Sequence, residues 1–124
     1  MKLTEPDNRL EANSSIDTFL EKSCAVGIEL EDTGRIEDAI AIYELCILSE
    51  DLTAMTRLAD ILSEPPAYLD VQRAKALYKR ACMAGHAPAC RNLSILYGQL
   101  GETEKSERYY KAARDRGDVW QADE

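Results

Sequence analysis

The stretch "ACMAGHAPAC", residues 81–90, holds two of the four cysteines and the single histidine of the chain. Cys82, His86 and Cys90 recur at every fourth position. Four readings of that spacing are open: a zinc site, a disulfide, a catalytic thiol, or a turn between two helices with no chemistry of its own. Zinc needs three or four ligands converging tetrahedrally. A continuous helix would bring His86 beneath Cys82, but Gly85 and Pro88 interrupt any such helix. A fourth ligand would have to come from Cys46 or a distant acid, so Cys82, His86 and Cys90 are weak metal candidates. A cysteine nucleophile needs a base within hydrogen-bond reach, and His86 is the sole histidine. Nothing in the sequence around Cys24 lowers its thiol pKa. The acid pairs Glu31–Asp32 and Glu37–Asp38 are adjacent in sequence, so on a helix they diverge rather than converge as acid and base. Neither a glycine-rich phosphate loop nor a nucleophile elbow occurs. These residues predict neither an enzyme nor a bound cofactor.

The elements that must position this stretch come from one chain of 124 residues, long enough to bury a core without metal or disulfide staples. Hydrophobic residues make up 45% and charged residues 31%, as in ordinary globular domains. The longest apolar run, "AIAIY" at 39–43, is far too short to span a membrane. The opening "MKLTEPDNRLEAN" has no apolar secretory core, so a cytoplasmic location with reduced thiols is the expectation. The net charge of −8 is uneven. Residues 1–64 carry 15 acids against 5 bases, and residues 65–124 carry 8 acids against 10 bases. That balance disfavours nucleic acid and anionic membrane, which demand a basic footprint. It favours a basic protein or peptide partner, and it offers a route to self-association.

Internal repetition organises the rest. "VGIEL" (26–30), "LADIL" (58–62) and "LSILY" (93–97) each place a small residue, Gly27, Ala59 or Ser94, after a large apolar one. Downstream of each comes "AIAIYELC" (39–46), "AKALYKRA" (74–81) or "SERYYKAA" (106–113). In these, a small residue (Ala39, Ala74, Ser106) precedes a tyrosine by four (Tyr43, Tyr78, Tyr110), and another small residue (Cys46, Ala81, Ala113) follows three later. Spacings of three and four make an apolar stripe at helical period, and small residues let paired helices approach closely. Gly34 and Gly101 stand where an antiparallel helix pair must turn, and "SEPPAYLD" does so in the middle unit. The pattern predicts six helices over 15–31, 35–48, 51–63, 69–83, 87–99 and 103–116, with Ser15 as an N-cap and Gly117 as a C-cap. It predicts an all-α fold, a short α–α superhelix of three helix-turn-helix repeats spanning 15–117. A loose arm over 1–14 precedes it, and a tail over 118–124 follows, in which Trp120 is a candidate to cover the end of the stack.

"AKALYKRACMAGHAPACRNLSILY" and "SERYYKAARDRG" resemble Sel-one-like repeats, close relatives of tetratricopeptide repeats. The resemblance covers residues 18–117, about three repeats. The middle unit departs from the family in its lengthened, proline-rich turn, and only the first unit has glycine after the first large residue. The cysteine-rich branch of the family implies that Cys82 and Cys90 lie close enough to form a disulfide in an oxidising compartment. Without a leader, the expectation is that both are reduced and packed as small apolar residues.

The resemblance also implies that the first helix of each pair lines a concave groove. The stripe not committed to the core comprises Glu21, Cys24, Ile28 and Glu31; Thr53, Thr56, Asp60 and Ser63; and Pro88, Arg91 and Ile95. Ile28 and Ile95 would supply apolar contact, while Asp60 and Arg91 would fix the register of a bound segment. The expected function is a non-catalytic protein-interaction module, with an acidic antitoxin or immunity-type inhibitor of a basic toxin as the narrower alternative. A thiol- or zinc-dependent enzyme is the third reading.

Overall fold

The computed structural model describes residues 23–117. Among these residues the chain is all-α: six helices and no strands. Helix α1 occupies 23–32 of the described residues, followed by α2 (Ile36–Ile47), α3 (Leu52–Leu62), α4 (Val71–Met83), α5 (Ala87–Gln99) and α6 (Thr103–Asp115). The predicted Ser15 cap, Glu21, the 1–14 arm and Trp120 lie outside the described residues. The chain divides into two compact units, Met1–Ser49 and Glu50–Glu124.

The helix ends follow from the residues that satisfy their orphan backbone groups. Asp51 and Asp70 cap α3 and α4 by accepting from the amides of Ala54 (2.9 Å) and Arg73 (3.2 Å). Pro88 sits in the first turn of α5, where no amide donor is needed. Helices α1, α4 and α5 end in one recurrent closure. The residue after a left-handed glycine reaches back five positions: Arg35 to Leu30 O (2.8 Å), His86 to Ala81 O (3.0 Å), and Glu102 to Tyr97 O (2.9 Å). The glycine amide reaches back three. The glycines Gly34, Gly85 and Gly101 have φ between 82° and 99°, a conformation that penalises any Cβ. Between α3 and α4, where the prolines stop the helix, the amide of Asp70 closes on Leu62 O at 2.7 Å.

In the first unit, α1 meets α2 where Gly27 faces Tyr43. A Cβ on Gly27 would lie 2.7 Å from Tyr43 Cε1, so the hydrogen side chain is what admits the ring. Tyr43 is fully buried, and its hydroxyl donates to Glu31 Oε1 at 2.8 Å. In the second unit, α3 packs on α4, α4 on α5 and α5 on α6. Its core holds Met55, Leu58, Leu77, Leu93 and Leu96, each worth about 1.5–3 kcal/mol when buried. Ala59, Ala74 and Ala81 are wholly inaccessible, as the small-residue pattern requires. Between α5 and α6 the small pair is polar: Ser94 Oγ donates to Ser106 O (2.6 Å) and Ser106 Oγ donates to Ser94 O (2.8 Å). Of the three repeat tyrosines, Tyr43 and Tyr78 are buried and Tyr110 is half-buried, with Arg114 5.9 Å above its ring. Packing of neighbouring helices in sequence order is compatible with a helical repeat.

Candidate functional site

The α3–α5 face of the second unit gathers the polar side chains that the core leaves over. On α3, Leu58, Ala59, Ile61 and Leu62 point inward, which leaves Asp60 half-buried on the flank. Its carboxylate joins three helices. Tyr78 of α4 donates its hydroxyl to Asp60 Oδ1, and Asn92 of α5 donates Nδ2 to the same oxygen at 3.0 Å. Arg91 Nε reaches Asn92 Oδ1 at 3.4 Å, extending the chain of contacts along α5. Burial pushes the Tyr78 hydroxyl well above its ordinary pKa, and the Asp60 charge adds to the shift, so the phenol stays a donor.

Asp60 and Asn92 form the shared wall of two open depressions. The first, ≈ 460 Å³, is bounded by Asp60, Ser63, Glu64, Tyr78, Ile95 and Gln99, together with Pro65, Asn92 and Leu96. It has two carboxylates and no basic side chain on its walls. The second, ≈ 360 Å³, is bounded by Thr53, Thr56, Arg57, His86, Pro88 and Arg91 besides the shared pair. Here arginine and histidine outnumber the single acid. Burial lowers the pKa of His86, with the Asp51 charge acting in the opposite sense, so its imidazole is biased to the neutral form. Both depressions are open to solvent and walled mostly by polar side chains, which suits side chains of a partner better than an enclosed, apolar-walled small-molecule site.

All seven members of the predicted stripe in this unit, Thr53, Thr56, Asp60, Ser63, Pro88, Arg91 and Ile95, line one or both depressions. They are not equally open. Ile95 is 44% exposed, whereas Thr56 is 6% exposed, with its hydroxyl turned to Leu52 O at 2.9 Å. In the first unit, Cys24 is buried at 6% exposure, so it belongs to the packed interior rather than to an open wall as expected. Ile28 is half-buried, and Glu31 accepts from Tyr43. Sequence reasoning missed Asn92, Glu64, Arg57 and the donor role of Tyr78. Asn92 carried a usable signal, since it is a polar residue immediately before the buried Leu93.

Cys82 and Cys90 are bonded to each other, with an S–S distance of 2.14 Å and Cα atoms 4.7 Å apart. The expectation that both are packed as reduced thiols is therefore corrected. That expectation rested on compartment, whereas the Gly85 turn brings the two helix ends within bonding distance irrespective of it. The bond commits both sulfurs, which removes them from a metal set with His86, and no three His, Cys, Asp or Glu side chains gather as a metal site among the described residues. Cys24 and Cys46 are buried thiols.

No protein-family model and no curated protein matches the chain. No helix among the described residues is long and apolar enough to cross a membrane.

Proposed function

We propose that the chain is a non-catalytic interaction module of the Sel-one-like type, which binds an extended segment of a protein partner along the α3–α5 face. The observation that carries the reading is the acidic depression beside an exposed isoleucine. Asp60 and Glu64 would receive the cation of a lysine or arginine, and Ile95 would cover its aliphatic stem or a neighbouring apolar residue. The adjoining depression, with Arg57 and Arg91, would accept a carboxylate of the same segment. Three glycine-closed helix ends and the small-residue contacts support a repeat architecture. The surplus of acids in residues 1–64 supports a partner of basic character.

Fluorescence anisotropy with labelled peptides pairing lysine or arginine with leucine tests this reading, with sequence-matched acidic peptides as the control. Ile95→Asn and Glu64→Lys should each weaken binding of the basic peptides at least tenfold, a loss of about 1.4 kcal/mol, while helical circular dichroism stays at the parent level. Asp60 is unsuited to the test, because reversing its charge would also set a cation against the Tyr78 and Asn92 donors. Equal binding by parent and both variants, or no preference for basic peptides, would remove the groove reading.

A further inference from the structure

Helices α2 and α4 occupy the same place in their respective repeats, aligned through Ala39 and Ala74, yet their outward faces have opposite charge. Helix α2, "IEDAIAIYELCI", has three acids and no base; α4, "VQRAKALYKRACM", has four bases and no acid. The exposed stripe of α2 and its C-cap is Asp38, Ala41, Leu45 and Leu48, and that of α4 is Arg73, Ala76, Arg80 and Met83. Both run with spacings of three, four and three, the period of a helix seam. Each has an alanine at its second position, where two backbones can come close. Each ends in an exposed apolar residue, Leu48 at 80% and Met83 at 69%. Helix α6 lacks this pattern: the corresponding positions are Lys105, Arg108, Ala112 and Asp115, with a charge where the seam requires alanine and another where it requires an apolar end.

We infer that the outer face of α2 in one molecule docks on the outer face of α4 in a second copy of the chain. Running in the same direction, the two stripes set Asp38 against Arg73, Ala41 against Ala76, and Leu48 against Met83. The Arg80 stem lies along Leu45, with its charged head in solvent. Asp38 already has Arg35 at 2.6 Å, but both side chains are more than half exposed, so that pair is cheap to exchange. The occupant is a second copy because the two stripes match each other in spacing, in alanine placement and in apolar end, besides their charge. Each molecule retains one unused stripe of either kind after a single contact, so the contact is heterologous and association rises with concentration. One helix-on-helix contact is small, so the association is weak and salt-dependent.

Sedimentation velocity of the purified chain over a concentration series tests this, at about 0.01 M and about 1 M salt, where the screening length falls from about 30 Å to about 3 Å. The expected result is a sedimentation coefficient that rises with concentration at low salt and stays at the monomer value at high salt. The double variants Glu37→Lys/Asp38→Lys and Arg73→Glu/Arg80→Glu should each be monomeric, and an equimolar mixture of the two should associate again. Met83→Glu, an exposed position at a helix end, should weaken the parent's association without altering its helical circular dichroism. A parent that is monomeric throughout, double variants that associate like the parent, or a mixture that stays monomeric would overturn the inference.

Discussion

Tyr78 and Asp60 are 18 residues apart in sequence and on different helices, yet the tyrosine hydroxyl donates directly to the aspartate. The first unit contains the same relation between Tyr43 and Glu31, also from the second helix of a hairpin to an acid on the first. When the repeats are aligned, Glu31 corresponds to Ser63, three positions beyond Asp60. Three residues is nearly one helical turn, so both acids lie on the same side of their helix. The tyrosine that fills the space beside the small residues thus also fastens the hairpin at its polar edge.

Removing that donor should destabilise the second unit. Tyr78→Phe keeps the ring and the packing but leaves Asp60 with Asn92, a loss of about 1.5–3 kcal/mol for a hydrogen bond to a charged group. Thermal melts of parent and variant at neutral pH measure it. The same contact sets an alkaline limit. In the folded chain Tyr78 holds its proton above the ordinary value of 10.0. The unfolded chain therefore loses that proton first, and stability declines as the pH rises past about 10. In Tyr78→Phe this part of the decline should be absent.

His86 acts at the other end of the scale. Its pKa lies below 6.5 because burial disfavours the cation. As the pH falls past 6.5 the unfolded chain takes up the proton before the folded one, so the stability present above 6.5 is progressively lost. It is the only histidine, so a single imidazole resonance followed by NMR reports its titration. The midpoint should fall below 6.5, and Asp51→Asn should lower it further by removing the charge that opposes the shift.

Gly27→Ala should strain the first unit. The added methyl would sit 2.7 Å from the Tyr43 ring, which is itself fully buried. Overpacking of this kind costs about 1–3 kcal/mol. Gly27→Ala combined with Tyr43→Leu should recover part of the loss, and chemical denaturation of the single and double variants checks this.

Alkylation under denaturing, non-reducing conditions should modify Cys24 and Cys46 and leave the Cys82 and Cys90 peptides joined. After reduction all four should react, and mass spectrometry reads both states. Replacing Cys82 and Cys90 together by alanine removes a crosslink across eight residues, with an expected loss of about 2–3 kcal/mol.

Helix placement was legible in the sequence because it depends on local chemistry. The period of three and four, the prolines after α3 and the glycines at the turns all act within a few residues. Predicted and observed boundaries accordingly differ by at most two residues from α2 to α6, and α5 coincides at 87–99. The residues that line the two depressions could be named from the sequence for the same reason, since most of what the core does not claim on α3 and α5 faces outward.

The degree to which each stripe residue is open was decided only by packing between helices. Cys24 and Thr56 sit in the predicted stripe but are buried, because a rotation of a helix by a fraction of a turn moves a flanking residue from wall to interior. The fates of Cys82 and Cys90 also depended on three dimensions, since a bond needs two sulfurs to meet and residue spacing does not specify the turn between them. The sequence by itself determined the helices, their turns and their uneven charge, all of which arise from neighbours along the chain. The tertiary structure alone decided that Tyr78 and Asn92 converge on Asp60, because hydrogen bonds between helices depend on distances that only packing sets.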